Sequence, residues 1–360
     1  MPMSMTSAAG LLTDPPCPAM HSVSQIIERN LHRRKACGSG LWINPEKDDC
    51  WHRAKANCPS LKLFSQDYGT YTFLQESGAD IEFSAFPHTS DAQYQWVILN
   101  LPRQKALLRM MLECAAALLA KDGVLWLAGE NKAGIKSADK LLKSYFNQVT
   151  KLDNARHCTL YEAGKALSQQ VFDPLSYREE WPLDCQATPI RVTSYPGVFA
   201  HGRIDAGTAL LLDTLAETRI EGDVLDFACG AGVIGACIAA GHKHTNVTLL
   251  DSSALALRAC EETLATNHLS GTVLASDGLS ELSGSFDLIV SNPPIHAGVK
   301  TDNHLSMRLL DSVHEHLNPG GMLMMVANVH LPYEKWLSKR FRHCSERTAN
   351  DNYKVILAKK

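Results

Sequence analysis

The sequence predicts an α/β protein built from two similar parallel-sheet domains in tandem. Three observations lead to this prediction. In the second half of the chain, short apolar runs alternate with stretches of helical periodicity. A weaker copy of the same pattern occupies the first half. Between them lies a stretch with few periodic apolar residues, in which Pro174, Pro182 and Pro189 mark a domain boundary.

In the second half, strands and helices are predicted to alternate. Parallel strands need a long crossover connection, usually a helix, so this rhythm is typical of βαβ units with helices on both faces of the sheet. The predicted strands are 223–226, 247–251, 272–275, 286–291 and 322–327, and the predicted helices are 233–240 and 254–267. The stretch 351–358 has strand composition and is predicted to pair antiparallel at the sheet edge.

The first half repeats the end of this series. Residues 94–100 form an apolar run that ends in Asn before Leu-Pro, and residues 286–292 end in Asn before Pro-Pro. Each run is followed by Leu at helical spacing, a Gly-containing break and a new apolar strand, 124–128 or 322–327. We interpret this order as an internal duplication. The first copy has no glycine-rich turn after its first strand, since Gly38-Ser-Gly40 precedes the strand 41–44. We therefore expect this copy to have lost its ligand site.

These patterns give the expected organisation of the chain. Residues 1–20, which include Pro15, Pro16 and Pro18, are predicted to be a disordered leader. Residues 21–180 are the degenerate first domain, and residues 186–360 are the catalytic domain.

Composition excludes several classes of protein. Hydrophobic residues make up 45% and charged residues 20% of the 360 residues, as in globular proteins, and no apolar run is long enough for a membrane helix. The net charge of −3 excludes only a globally basic nucleic-acid coat. The 11 cysteines include no C-x-x-C pair, so we expect reduced core thiols and no metal. We expect a cytoplasmic monomer.

A glycine-rich turn is predicted at the end of the first strand of the second domain. In Asp226-Phe-Ala-Cys-Gly230-Ala-Gly232, glycines permit a tight turn and let a ligand lie against backbone amides at a helix N-terminus. Asp251 ends the next strand, where a carboxylate can accept hydrogen bonds from both hydroxyls of a ribose. A nicotinamide dinucleotide and an adenosyl methyl donor both fit these features, so either cofactor class stays open here.

Two further motifs separate these classes. Ser276-Asp277 follows the third strand, where a side chain can meet an adenine edge, and Asn292-Pro293-Pro294-Ile295 follows the fourth. The lone pair of a planar NH₂ group is delocalised and poorly nucleophilic. An Asn oxygen and a neighbouring backbone carbonyl that each accept one N–H can aim that lone pair at a methyl carbon. Prolines fix φ and hold the carbonyl in place. A dehydrogenase has no need of such a tetrapeptide, so these motifs favour a methyltransferase.

With these motifs, the chain resembles the class I S-adenosylmethionine-dependent methyltransferases that carry the N-P-P-[FYW] motif. More narrowly, it resembles the family of ribosomal small-subunit RNA guanine-N2 methyltransferases called RsmC. The stretches that carry the resemblance are 129–138, 151–158, 195–199, 204–208, 226–232, 291–298 and 326–333. The resemblance implies two tandem Rossmann-like domains, the first degenerate, with a seven-stranded, mostly parallel sheet and an antiparallel edge strand in the second. It also implies methylation of the exocyclic N2 amine of a guanine in 16S rRNA, with the small ribosomal subunit as partner.

The resemblance also implies roles for particular residues. The donor, S-adenosyl-L-methionine, is expected to contact Asp226, Ala228, Gly230, Gly232, Asp251, Ser252, Asp277, Asn292 and Phe199. The target amine is expected to be positioned by Asn292, Pro293, Pro294 and Ile295. The family has an aromatic residue where this chain has Ile295, and a ring there would stack on the target base. The lack of an aromatic ring at Ile295 leaves three alternatives: the site binds the base more weakly, another residue such as Phe199 supplies the ring, or the substrate is a different one.

Basic residues are clustered although the total charge is negative. The clusters lie in 29–35, 132–143 and 335–347, and the expected RNA contacts are Lys132, Lys136, Lys339, Arg340 and Arg342. His296 is not expected to act as a base, because the cationic product of amine methylation readily loses a proton. Three alternatives to a 16S rRNA methyltransferase stay open: a large-subunit rRNA guanine-N2 methyltransferase, a protein-glutamine methyltransferase and a catalytically silent RNA-binding assembly factor.

Overall fold

The computed structural model describes residues 19–88, 93–167, 171–185, 188–293 and 312–360. Within these ranges the chain forms two seven-stranded sheets and one two-stranded ribbon. Of the predicted leader, residues 1–18 lie outside the described residues. No helix in the described ranges is long and apolar enough to cross a membrane.

The first sheet and its helices extend from residue 22 to residue 166. The strands are β1 Gly40–Ile43, β2 Leu61–Ser65, β3 Ile81–Phe83, β4 Tyr94–Asn100, β5 Leu119–Glu130, β6 Phe146–Ala155 and β7 Cys158–Ala166. The helices are α1 Ser22–Asn30, α2 Cys50–Asn57, α3 Tyr68–Glu76, α4 Lys105–Leu118 and α5 Ala138–Leu142.

A two-stranded ribbon, β8 Glu179–Cys185 and β9 Thr188–Ser194, joins the first sheet to the second. The strands of the second sheet are β10 Gly222–Phe227, β11 Thr245–Asp251, β12 Thr272–Ala275, β13 Phe286–Ser291, β14 Leu317–Asn328, β15 His343–Ala349 and β16 Tyr353–Lys359. The helices are α6 Ala206–Ala216, α7 Val233–Gly241, α8 Ala254–Thr266 and α9 Tyr333–Leu337.

The two sheets have the same strand order, which confirms the tandem α/β fold and the internal duplication. The first has the order β3-β2-β1-β4-β5-β7-β6 and the second β12-β11-β10-β13-β14-β16-β15. The predicted terminal strand, β16, is antiparallel to β14 as expected. It is not outermost, because β15 pairs with its other side and forms the sheet edge.

The central strands are apolar because both faces of each sheet are covered. In β13, Phe286, Leu288, Ile289 and Val290 are all buried. A parallel strand covered by helices on both faces has this composition, and its polar residues are left at the strand ends. The side chains available for chemistry in the second domain therefore lie where the strands end.

The junction between the sheets corrects one expectation. Cys185 of β8 and Cys237 of α7 form a disulfide with Cα atoms 5.6 Å apart, so the interpretation of all cysteines as reduced thiols is wrong for this pair. Packing of α7 on the ribbon brings together two residues that are 52 positions apart in the sequence. The ribbon spans residues 179–194, across the predicted boundary between 180 and 186, and the domain limits stay a prediction.

Candidate active site

The site lies at the carboxyl ends of three neighbouring strands of the second sheet. Phe227, the last residue of β10, pairs with Leu250 of β11 on one side and Ser291 of β13 on the other. The residues that follow these positions therefore meet at one edge, where ligands bind in open α/β sheets. The glycine turn, Asp251 and Asn292 are brought together as the sequence predicted.

The turn after β10 has an unusual backbone. Gly230 and Gly232 adopt φ of 55° and 76°, and Ala228 adopts φ of 59° although it has a side chain. Residues other than glycine are seldom held in this region, and such strain is typical of ligand sites. Gly232 is the N-cap of α7, so the turn presents backbone amides at the start of a helix.

Asp226 is fully buried beneath this turn. Its Oδ2 accepts a hydrogen bond from the backbone N–H of Gly235 at 2.8 Å, whereas its Oδ1 has no partner within the described residues. Burial, reinforced by the nearby Asp251, raises the pKa of Asp226 to about 7. A buried oxygen with an unused acceptor position fits a bound group that donates hydrogen bonds or carries positive charge.

Asp251 stabilises the turn after β10 by hydrogen bonding. Its Oδ2 accepts from the backbone N–H of Gly230 at 2.9 Å, and its Oδ1 accepts from that of Ser253 at 2.8 Å. Burial raises the pKa of its carboxyl group despite these hydrogen bonds. Each carboxylate oxygen can accept a second hydrogen bond, so Asp251 can hold the turn and still receive two ribose hydroxyls. Ser252 is the next residue along the chain.

Asn292 is held in one orientation by α6. Its Nδ2 donates to Asp205 Oδ2 at 3.1 Å and to Thr208 Oγ1 at 2.9 Å. A carboxylate can only accept, so the amide NH₂ must face Asp205 and the amide oxygen must face away. No described residue donates to that oxygen. The site therefore presents a fixed acceptor.

Asp205 also begins α6. Its Oδ2 accepts from the backbone N–H groups of Gly207 and Thr208 at 2.9 and 3.1 Å, so one carboxylate oxygen both caps the helix and holds Asn292. Sequence reasoning included residues 204–208 in the family resemblance but gave Asp205 and Thr208 no role. The cap was visible as Asp before a helix, whereas the contact with Asn292 depends on the fold.

One cavity joins several predicted site residues. Phe199, Ala228, Gly230 and Asn292 line it together with the newly found Asp205. Phe199 is 60% exposed, which is unusual for an aromatic ring and leaves its face accessible. Of the predicted tetrapeptide, Asn292 and Pro293 are described, whereas Pro294 and Ile295 lie outside the described residues.

The loop after β12 lies beside Asp251. The backbone N–H of Ser276 donates to the carbonyl oxygen of Asp251 at 3.1 Å. Asp277, the predicted adenine contact, is exposed, and its Oδ2 lies 3.1 Å from Nζ of Lys47 in the first domain. Sequence reasoning gave Lys47 no role, because the contact arises only when the two domains dock.

The predicted RNA contacts lie at two different edges of the fold. Lys132 and Lys136 are exposed and follow β5, at the carboxyl-end edge of the first sheet. Lys132 also pairs with Glu130 at 3.3 Å. Lys339, Arg340 and Arg342 are exposed in the segment between α9 and β15. The backbone N–H of Arg342 donates to the carbonyl oxygen of Lys359, which pairs with Met322 of β14. Met322 pairs with Leu288, in the amino half of β13, so this end of the segment lies towards the edge opposite Asn292.

Comparison with known proteins agrees with this architecture. The family model of the methyltransferase small domain matches residues 189–357, and the model of its N-terminal companion domain matches residues 24–180. The ribosomal RNA small subunit methyltransferase C of Shewanella amazonensis is 35% identical over 339 residues, which cover 94% of this chain and 98% of that protein. The protein of the same name from Pseudomonas entomophila is 40% identical over 268 residues, 74% of this chain and 80% of that protein.

A solved structure shows the same fold over nearly the whole length. The N2 methyltransferase of 16S rRNA from T. thermophilus, RsmC, solved in complex with AdoMet and guanosine, superposes with a TM-score of 0.82 at 22% identity, covering 96% of this chain and 94% of that one. The fold and the site thus define a methyltransferase built from two small methyltransferase domains. Within that class, the chain belongs to the ribosomal RNA small subunit methyltransferase C family.

Proposed function

We propose that the protein transfers a methyl group from S-adenosyl-L-methionine to the exocyclic N2 amine of a guanine in 16S rRNA. The observation that carries this proposal is the orientation of Asn292, whose NH₂ group is held by Asp205 and Thr208 while its oxygen is left as an acceptor. A hydrogen-bond acceptor held in a fixed orientation beside the methyl-donor site fits a substrate that carries N–H groups. A guanine N2 amine is such a substrate.

The chain's own residues account for activation of the amine. Asn292 Oδ1 and the backbone carbonyl of Pro293 each accept one N–H of the target amine. With both protons held, the nitrogen is drawn from planar towards tetrahedral geometry and its lone pair points away from the base ring. No base is required before transfer, because the cationic product is acidic enough to lose its proton to water.

The donor is expected to occupy the turn after β10. When bound, S-adenosyl-L-methionine supplies an electrophilic sulfonium methyl group. Asp226, with its unused buried oxygen, suits the cationic part of a methionine group. The start of α7 suits its carboxylate, and Gly230 and Gly232 give the turn the backbone shape that leads into this helix. Asp251 suits the ribose hydroxyls and Asp277 the adenine.

The target base needs a stacking surface because the motif ends in Ile295. We propose that Phe199 supplies it, since this ring is exposed and lines the same cavity as Asn292. We further propose that the RNA is held by the two basic clusters, 132–143 and 335–347. We also propose that the protein is a cytoplasmic monomer. It needs no metal for the transfer, because a sulfonium methyl group is already electrophilic.

The test is methyl transfer by the purified full chain to small ribosomal subunits that lack the modification. We expect label from methyl-labelled donor to appear as N2-methylguanosine in 16S rRNA, and the Asn292→Ala protein to give none. Label in 23S rRNA would favour the large-subunit alternative, and label in glutamine the protein-glutamine alternative. RNA binding without transfer would favour the silent assembly factor.

A further inference from the structure

The two domains touch through equivalent loops. In each sheet, one loop follows the second strand and precedes the next helix: β2 to α3 in the first domain and β11 to α8 in the second. The backbone N–H of Tyr68 donates to the carbonyl oxygen of Ser252, and that of Ala254 donates to the carbonyl oxygen of Gln66, both at 2.8 Å. The reciprocal pair forms an isolated antiparallel bridge across the domain interface.

This bridge is tied to a donor-site residue. Ser253, at the bridge, donates its backbone N–H to Asp251 Oδ1 at 2.8 Å and caps α8. Asp67, its counterpart in the bridge, caps α3 by accepting from the backbone N–H of Thr70 at 2.8 Å. The start of α3 is therefore fixed against the loop that carries Asp251.

A second contact places α3 against Asp277. Lys47 Nζ lies 3.1 Å from Asp277 Oδ2. A β-carbon built on Gly69, the second residue of α3, would lie 2.2 Å from that same oxygen and 2.4 Å from Lys47 Nζ. Only glycine leaves room for the carboxylate here. Both contacts act on Oδ2, and Oδ1 of Asp277 has no hydrogen-bond partner in the described part of the chain.

We propose that Gly69 and Lys47 of the first domain are positioning residues for the donor. Lys47 pairs with Oδ2 of Asp277, and the absence of a side chain at Gly69 leaves the space that Oδ2 occupies, so that Oδ1 is presented to the exocyclic amine of the adenosyl group. The domain that has lost its own ligand site thus completes the donor site of the other. This inference rests on the proposed function, because it takes Asp277 as the adenine contact.

The two positioning residues are expected to contribute unequally. The side chains of Lys47 and Asp277 are 43% and 58% exposed, and ion pairs in such surroundings are weak and are screened by salt. The contact with Gly69 is steric and does not depend on salt. We therefore expect Gly69 to set the position of the carboxylate and Lys47 to refine it.

The experiment is the Gly69→Ala substitution in the full chain, with S-adenosyl-L-methionine binding measured by calorimetry. The added methyl group meets the ends of two flexible side chains, so it displaces the Asp277 carboxylate while the backbone can stay in place. We expect the dissociation constant to rise about tenfold, the size of one lost hydrogen bond to a charged group. The melting temperature should stay equal or rise, because Ala is the better helix former.

Controls separate this effect from a general disturbance of the first domain. In Gly38→Ala, the added carbon meets only Gln95 Oε1, at 3.6 Å, so donor affinity should match wild type. When Asp277 is already replaced by Ala, the Gly69→Ala substitution should cause no further loss of affinity for S-adenosyl-L-methionine. In turnover assays, the donor KM should rise while kcat at saturating donor stays unchanged. Lys47→Met should weaken binding about threefold in low salt, and Lys47→Arg should restore it.

The proposal would be overturned if Gly69→Ala bound S-adenosyl-L-methionine with wild-type affinity. It would also be overturned if Gly69→Ala lowered this affinity as much in the Asp277→Ala protein as in the wild-type protein. A fall in kcat without a change in donor KM would also overturn it. Failure of the proposed function has a different signature, since the wild-type chain itself would then either not bind S-adenosyl-L-methionine or bind it without forming N2-methylguanosine in 16S rRNA.

Discussion

Replacement of Asp226 by Asn should remove a loss of stability that the wild-type protein undergoes between pH 5 and pH 8, and it should weaken donor binding. The carboxyl group is fully buried, and its Oδ1 has no partner in the described chain. At pH 8 the protein holds an uncompensated buried negative charge, which is unfavourable for folding but suits a cationic ligand. Asn keeps the shape and the acceptor for Gly235 and removes the charge.

The magnitude follows from the pKa difference between the two states. The pKa of Asp226 is about 7 in the folded protein and 3.8 as the ordinary value. Because the folded pKa is the higher one, its contribution to stability is fully present below about pH 4 and is lost as the pH rises through 7. Integrated between pH 5 and pH 8, the loss is about 2.5 kcal/mol.

The variant lacks this dependence because its amide does not titrate. It carries a constant cost of about 1–3 kcal/mol, since the amide NH₂ takes the place of the unpartnered Oδ1 and finds no acceptor there. The free energy of unfolding of Asp226→Asn minus that of wild type should therefore be about 2.5 kcal/mol larger at pH 8 than at pH 5, which means that the variant gains stability relative to wild type as the pH rises. Titrating groups that do not interact with Asp226 cancel in this comparison.

The assay is urea unfolding of donor-free protein, followed by far-ultraviolet circular dichroism at pH 5 and pH 8 in one ionic strength. Donor affinity is measured by calorimetry at pH 8. Asp223→Asn is the matched variant, since Asp223 is an exposed carboxylate on the same strand, β10. If the stability difference between Asp226→Asn and wild type is the same at both pH values, the buried-charge argument is refuted. Retention of full donor affinity would refute the ligand role.

Three further predictions concern the substrate side of the site. Asn292→Ala should lower the transfer rate by roughly two to three orders of magnitude, because one positioning acceptor is lost, while the donor dissociation constant stays near wild type; substantial remaining transfer would point to another acceptor group. Thr208→Val should lower kcat by about tenfold through loss of one hydrogen bond that orients the amide, and Thr208→Ser should retain the rate; equal rates in both variants would contradict that role. Charge reversal of Lys132 and Lys136 should weaken RNA binding and reduce its salt dependence, and reversal of the equal charge on Lys339 and Arg342 should do so as well, because both clusters are proposed to hold the RNA; RNA binding that is unchanged by either reversal would remove that cluster from the RNA-binding surface.

The sequence was sufficient to predict the fold because the features that define it are local. Apolar runs of strand length, helical spacing between them and a Gly-containing break recur in the same order in both halves, and each depends on neighbouring residues only. The carboxyl-end location of Asp226, Asp251 and Asn292 followed from strand direction. Even the antiparallel direction of β16 was predictable, although the position of β15 outside it was not.

Contacts between distant elements could not be predicted in this way. Asp205 could be recognised as a helix cap, but its contact with Asn292 joins residues 87 positions apart and depends on where α6 packs. The contact between Lys47 and Asp277 spans 230 positions and depends on how two domains dock. Neither pair has a characteristic spacing, so only the folded chain reveals that these residues belong to the site.

The two copies of the domain differ in what holds one asparagine. Asn100 follows the residue of β4 that pairs with the end of β1, as Asn292 follows the residue of β13 that pairs with the end of β10. Asn100 is 6% exposed. Its oxygen accepts from Trp42 Nε1 at 3.0 Å, and its Nδ2 lies 3.2 Å from Glu46 Oε1. The indole takes up the oxygen that a substrate amine would need. In the second copy, a carboxylate and a hydroxyl likewise accept from the NH₂ end of the amide, but no described residue donates to its oxygen. An asparagine at this strand end is therefore insufficient for methyl transfer, and the donor or acceptor nature of the groups around it decides which copy can bind an amine.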